Sequence, residues 1–334
     1  MSDPGPEVAE VLEVLAGAGV DTAGEWSLRQ LAGGFSRHTY VLTEGAGDRA
    51  YVVRVKPPGG LLDTDLEREY EIYAAAGRAG LPVPAVRGLR AADSALGGPF
   101  FVMDKAEGRS PLVWRPRDRA ELEENWRSSR SVATDLVETL AAVHDIPAAE
   151  LGFLGPPVGF AELVERWRTT HHDNVDVADP IVDEAYEWVL SRDPGPTSPG
   201  LVHADFRIGN VLLDGGRVSA VIDWELAYLG DPLFDLGYLA MPYYGGKFTG
   251  GGSPLVGAFA EAEWFAETYG KLRGVEVDPE TVRTYTVLGT LQLIAIIGIG
   301  LRQFADGNTT DPRMAWNRFV LPDLRQDMVR LMGW

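Results

Sequence analysis

Three oxygen-bearing side chains, Asp205 and Asn210 in "HADFRIGN" (203–210) and Asp223 in "DWE" (223–225), are spaced as a reaction centre needs them. An aspartate on a loop can accept the proton of a substrate hydroxyl, and Asp205 holds that place. Asn210, five positions on, and Asp223, thirteen beyond it, add hard oxygen donors. Such donors suit Mg²⁺ and the phosphate oxygens that it binds. The chemistry expected is phosphoryl transfer to an alcohol, with Asp205 as base, Asn210 and Asp223 holding metal, and His203 packing the loop.

Each of these residues borders an apolar run: "LV" before His203, "VLL" after Asn210, "AVI" before Asp223. Short buried strands that deliver polar side chains to one spot have this pattern. Upstream, "SLRQLAG", "HTYVLT", "AYVVRVK", "VPAVRGL" and "PFFVMD" read as strands, interspersed with helices at "EVAEVLEVLAGAG" and "DTDLEREYEIYAAAGRAG". The second helix has an acidic first turn and a closing glycine. After Asp104 the character changes. "RDRAELEENWRSSRSVATDLVETLAAVHDI" reads as one long amphipathic helix, with further helices near 159–170, 179–191, 254–272, 279–304 and 313–332. A small β-rich lobe over 1–104 is therefore expected to precede a larger helical lobe over 105–334.

The chain has 334 residues and no cysteine, which excludes disulfides and thiolate metal sites. Its net charge of −19 is spread over both lobes and leaves no basic surface for nucleic acid or anionic lipid. The N-terminal "MSDPGPEVAE" lacks the basic and apolar regions of a signal peptide, so a cytoplasmic location is expected. "TYTVLGTLQLIAIIGIGL" at 284–301 carries Gln292, threonines and glycines, and is read as a buried core helix rather than a membrane span.

Asp, then Asn five residues later, then Asp at a strand end is also the order of the protein-kinase catalytic loop. With "LVHADFRIGNVLL", "AVIDWELAYLGDPLFDLGYL" and "LAGGFSRHTYVL" beside it, the sequence resembles the aminoglycoside phosphotransferase family. Within that family it is similar to the branch of kinase-like domains fused to acyl-CoA dehydrogenases. The resemblance implies an α+β, bilobal, protein-kinase-like fold, with a small antiparallel-sheet N-lobe that binds nucleotide and a larger helical C-lobe. It implies ATP or GTP as phosphate donor and Mg²⁺ as cofactor. "AGGFSRHTY" matches the loop over the nucleotide phosphates, with Gly33, Gly34 and Ser36 at its turn and Arg37 where the family commonly has Asn. "AYVVRVK" matches the strand whose basic residue contacts the phosphates, which points to Arg54 first and Lys56 second. Glu69 is its implied ion-pair partner. "FFVMDKAEG" matches the segment whose main chain, around Met103 and Lys105, bonds the adenine edge.

Ala204 replaces the Arg of the kinase "HRD", and no "APE" follows, so control by activation-loop phosphorylation is not expected. Asp231 and Asp235 in "GDPLFDL" are expected to start a helix and buttress the loop. No G-x-x-x-x-G-K-[ST] or G-x-S-x-G pattern occurs. His171, His172 and Asp173 are a weaker candidate metal site, because adjacent histidines do not face one point. A catalytically inactive nucleotide-binding scaffold is the rival reading of the kinase motifs. The acceptor is expected to be a hydroxyacyl-type or other partly apolar small-molecule alcohol, with a macrolide or aminoglycoside antibiotic as the alternative. Tyr243, Tyr244 and Lys247, in "MPYYGGKFTGGGSP", are expected near it.

Overall fold

Short β-strands and two helices build the first third of the chain. The protein is described here by a computed structural model covering residues 5–31, 36–45, 47–59, 61–247 and 251–334. Two compact units divide after Glu107, where the sequence reading placed the division after Asp104. In the first, helix α1 (Pro6–Gly17) precedes strands β1 (Trp26–Gln30), β2 (His38–Glu44) and β3 (Ala50–Val55). Helix α2 (Leu66–Arg78) and strands β4 (Val86–Arg90) and β5 (Phe100–Asp104) complete it. The strands form one antiparallel sheet in the order β1-β2-β3-β5-β4.

The pleat sends alternate side chains to opposite faces of this sheet. Tyr51, Val53 and Val55 join Phe100 and Val102 in a core with Val11 and Leu15 of α1. Phe101 packs on Tyr73 of α2, ring centroids 5.8 Å apart. Arg54 is out of phase with Tyr51, Val53 and Val55, so it leaves the α1 face. Asp65 caps α2 by accepting from the amides of Glu67 and Arg68, which fixes where the helix begins.

The second unit contains α3 (Pro116–Ser128), α4 (Ser131–His144), α5 (Phe160–Asn174) and α6 (Pro180–Leu190). Four short strands follow: β6 (Gly200–Val202), β7 (Val211–Asp214), β8 (Arg217–Val221) and β9 (Tyr228–Gly230). The chain then forms α7 (Leu233–Leu239), α8 (Ala262–Arg273), α9 (Pro279–Ala305), α10 (Pro312–Trp316) and α11 (Leu321–Met332). β6 pairs with β9 and β7 with β8, both antiparallel. The apolar α9 is the axis of this unit and packs against α5, α6, α7, α10 and α11. It is long and apolar enough to cross a membrane, yet 78% of its most apolar window is buried inside the fold. α7 lies against it so closely that a Cβ on Gly237 would meet Tyr285 Cβ at 2.3 Å.

Three helices differ from the sequence reading. The long helix expected over 117–146 is two, broken at Arg130, whose φ is 57°. Asn125 causes the break: its carbonyl accepts both the Ser129 and Arg130 amides. Its side chain accepts from Val132 N and donates to Ser131 Oγ, starting α4 afresh. The helix expected from 254 begins only at Ala262, because a tight turn bonds Val256 N to Ala260 O. The segment 313–332 divides into α10, a 3₁₀ turn at Asn317–Phe319, and α11.

Candidate active site

The loop 203–210 lies between β6 and the β7–β8 hairpin of the second unit. Val211 pairs with Val221, so the residues just outside that pair, Asn210 and Ile222–Asp223, emerge at the same end of the hairpin. The Ile222 amide donates to the Asn210 carbonyl at 2.9 Å and joins the two segments. Asn210 is buried and points its Nδ2 at the Asp205 carbonyl (3.0 Å) and Oδ2 (2.5 Å). The other carboxylate oxygen, Oδ1, accepts from Arg207 Nε at 3.0 Å. Each oxygen of Asp205 thus takes one bond from a neighbour and keeps acceptor capacity for another.

Among the described residues, four that are not glycine have left-handed φ, and two of them are Ala204 (64°) and Asp223 (71°). This conformation costs about 1–2 kcal/mol for a residue with a Cβ. The surroundings therefore have to enforce it. At Ala204 the enforcing groups are visible. Asp235, fully buried on α7, accepts the His203 amide at 2.7 Å and the Ala204 amide at 2.8 Å. Gln292 of α9 donates Nε2 to the Ala204 carbonyl at 2.8 Å. His203 is also buried: its Nδ1 accepts from the Asp205 amide, so Nε2 carries the hydrogen given to the Ile222 carbonyl. Its ring packs on Trp224, centroids 4.5 Å apart.

Behind Asp235 stands His144 at the end of α4. Its Nε2 bonds Asp235 Oδ2 at 3.0 Å, and Nδ1 bonds the Tyr269 hydroxyl at 2.7 Å. A carboxylate can only accept, so Nε2 bears the hydrogen and the Tyr269 hydroxyl donates to Nδ1. Burial pushes the His144 pKa below its ordinary value, although the Asp235 charge opposes the shift. The imidazole is therefore neutral when folded and protonates more readily in the unfolded chain. Stability from this group is fully present above about pH 6.5 and falls as pH drops below it, by up to about 1.4 kcal/mol per pH unit. Urea unfolding at pH 7.5 and 5.5 should show this loss, and His144→Gln, neutral at both pH values, should reduce it.

Asp231 starts α7 by accepting the Leu233 amide at 2.9 Å and takes the Tyr285 hydroxyl at 2.6 Å on its other oxygen. Tyr238 and Tyr244 share a 2.7 Å hydroxyl contact, and the Tyr244 ring lies 5.5 Å from the Arg207 guanidinium. Burial first, and the Asp205 charge second, push both phenol pKa values up, so both hydroxyls stay protonated. Lys247 is joined to the buried Asp327 of α11. His171 is buried while His172 is exposed and bonded to Asp183 at 2.8 Å, so the adjacent histidines point different ways.

In the first unit, Glu69 of α2 is buried between two guanidinium groups. Arg54 reaches it at 3.2 Å and Arg37 at 3.3 Å. Arg37 is itself buried and also donates to Thr64 Oγ1 at 2.6 Å. Lys56 instead meets the exposed Asp63 at 2.7 Å. Ser36 is buried, whereas Gly33 and Gly34 lie outside the described residues. Met103 pairs with Val52 on one side and Val86 on the other. The Asp104 amide donates to the Ala85 carbonyl and the Lys105 amide to the Ala50 carbonyl. The next amide, that of Ala106, has no partner among the described residues.

Arg37 bonds Glu69, Arg207 bonds Asp205, His144 bonds Asp235 and Gln292 bonds Ala204, contacts that the sequence reading did not assign. Arg207 was within reach, two positions from Asp205 inside the motif. Gln292 stood out as an amide in an apolar helix. His144 and Arg37 carried no local indication of their partners.

The family model for the phosphotransferase enzyme family matches residues 27–275. Acyl-CoA dehydrogenase family member 11 from Gallus gallus is 34% identical over 230 residues, 66% of this chain. The chain spans only 29% of that relative's length. A crystal structure from Ralstonia eutropha, provisionally assigned as an aminoglycoside phosphotransferase, covers 97% of this chain and 98% of its own, with a TM-score of 0.76 at 24% identity. A thermostable mutant of the aminoglycoside phosphotransferase APH(4)-Ia, in a ternary complex with ADP and hygromycin B, covers 97% of each chain, with a TM-score of 0.57 at 20% identity. At these identities the two structures show a shared fold.

Proposed function

Because this chain belongs to the phosphotransferase enzyme family, we propose that it transfers the γ-phosphate of ATP or GTP to a hydroxyl of a small molecule, with Asp205 as general base. The observation that carries this reading is the Asp205 carboxylate, fixed by Arg207 and Asn210 with acceptor capacity remaining on both oxygens. A substrate O–H can donate to either oxygen and lose its proton there as its oxygen bonds the γ-phosphorus and the bond from that phosphorus to the departing nucleoside diphosphate breaks.

Asn210 and Asp223 fit a hard divalent cation. The Asn210 Nδ2 is turned to Asp205, which leaves Oδ1 as its outward donor atom, and Asp223 adds a carboxylate at the same hairpin end. Bound there, Mg²⁺ would neutralise charge on the nucleotide phosphates. On the nucleotide side, Gly33, Gly34 and Ser36 would cover the phosphates and Arg54 would contact them. After Met103, the first amide without a partner among the described residues is that of Ala106, so the adenine edge would be met there, one residue past Lys105.

Arg54→Ala should lower kcat/KM for MgATP by about tenfold or more, while Lys56→Ala should stay within about threefold. Arg37 still pairs with Glu69 in the first variant, so the fold should persist. Lys56 loses only an exposed ion pair, and such pairs contribute about 0–1 kcal/mol. Steady-state kinetics on both variants would check the order, and a larger effect from Lys56→Ala would reverse the assignment.

A partly apolar alcohol of hydroxyacyl type is the acceptor favoured here. Arg207 places a guanidinium 3.0 Å from Asp205 Oδ1, where a polycationic acceptor would meet like-charge repulsion. Half-buried Tyr243, whose ring centroid lies 5.3 Å from that of Tyr244, keeps part of an apolar ring exposed. The similarity to a segment of a much longer acyl-CoA dehydrogenase relative points the same way. ADP release with MgATP should be measured against hydroxyacyl thioesters, erythromycin and hygromycin B. Turnover of the thioesters is expected. Turnover of hygromycin B alone would overturn the acceptor class, and no release with any alcohol would favour an inactive nucleotide-binding scaffold.

A further inference from the structure

Gln292 sits in the apolar run "LQLIAIIGIGL" of α9 and is fully buried. Its Nε2 donates to the Ala204 carbonyl, but its Oε1 is buried with no partner among the described residues. A half-satisfied amide is an expensive occupant of a core position that methionine or leucine could fill without penalty. Its one bond goes to a particular place. Ala204 holds a left-handed φ of 64° without being glycine, and the next residue is Asp205.

Both backbone polar groups of Ala204 are held by buried side chains from different helices. Asp235 of α7 takes the amide, and Gln292 of α9 takes the carbonyl. With the amide fixed alone, the peptide joining Ala204 to Asp205 could rotate towards the extended region that alanine prefers. That rotation would carry the Asp205 amide off His203 Nδ1 and the Asp205 carbonyl off Asn210 Nδ2, contacts now made at 3.2 Å and 3.0 Å. Gln292 opposes it from the far side of the loop.

We propose that Gln292 is a positioning residue for the base: by clamping the Ala204 carbonyl it keeps the strained peptide in place and so aims the Asp205 carboxylate. The catalytic half of this inference rests on Asp205 acting as base, whereas the mechanical half does not.

Gln292→Met keeps the length and volume of the side chain and removes the donor. In the full chain, amide hydrogen exchange at 203–206 should speed up by about tenfold or more, with α9 protection and the thermal midpoint preserved. With MgATP and whichever alcohol the wild type accepts, kcat should fall about tenfold or more while KM for MgATP stays within about twofold. Adding Ala204→Gly, which adopts positive φ without a Cβ penalty, should restore at least about half of the lost kcat. Unchanged exchange at 203–206, or a loss of kcat that only follows a lower thermal midpoint and is not restored by glycine, would overturn the proposal. If the wild type releases no ADP with any alcohol, it is the phosphotransferase reading that fails, and the exchange experiment still decides whether Gln292 clamps the loop.

Discussion

Asp205→Asn should reduce kcat by about a thousandfold, within the range expected when a general base is removed, and leave MgATP affinity within about twofold. Asparagine matches the shape of the aspartate, so the loop should survive. Its carbonyl oxygen can still accept from Asn210 or from Arg207, the two donors that now hold the carboxylate at 2.5 Å and 3.0 Å. What it lacks is a basic oxygen for the substrate proton. Because the reading gives Asp205 to the acceptor and Arg54 to the nucleotide, the two measurements should separate cleanly. Rates of ADP formation together with titration calorimetry of MgATP would check this. Turnover within tenfold of the wild type would remove Asp205 from the role, and a matching collapse of nucleotide affinity would mean that it serves the metal instead.

Asp235→Ala should be the most damaging change to the fold outside the large apolar side chains. Its carboxylate is fully buried and accepts three hydrogen bonds, from His144 Nε2, the His203 amide and the Ala204 amide. Alanine would strand all three donors in the core. Each buried unsatisfied donor costs about 1–3 kcal/mol, so with some relaxation a loss on the order of 4 kcal/mol is expected. Activity should disappear with it, since the Ala204 conformation that precedes Asp205 would lose one of its two holds. Asp235→Asn should fall between, because its single carbonyl oxygen can serve some of the donors while its NH₂ opposes another. Urea unfolding at pH 7.5 would rank the three proteins. A loss below about 1 kcal/mol for the alanine variant would mean that water satisfies the exposed donors and that the buttress is weak.

What could be read in the sequence was whatever depends on near neighbours along the chain. Asp205 and Asn210 are five residues apart on one loop, so their meeting is a property of local spacing. The period-two burial of β3, the continuous apolar run of β5 and the apolar length of α9 declared their elements in the same way. Local spacing failed even for a helix boundary where a side chain intervened, as when Asn125 ends α3 and caps α4. It was weakest for the pairs that control the site. Arg54 and Lys56 lie on one strand face, and only the docking of α2 against the sheet gives Glu69 to the arginine. Arg37 reaches the same carboxylate across 32 residues, Gln292 reaches Ala204 across 88, and His144 reaches Asp235 across 91. A hydrogen bond requires its atoms within about 3 Å, and at such separations that distance is set by how whole helices and strands pack, which residue types along the chain do not encode one by one. The contact between Asp205 and Asn210 was local and therefore legible; the side chains that hold their loop from behind belong to the tertiary structure.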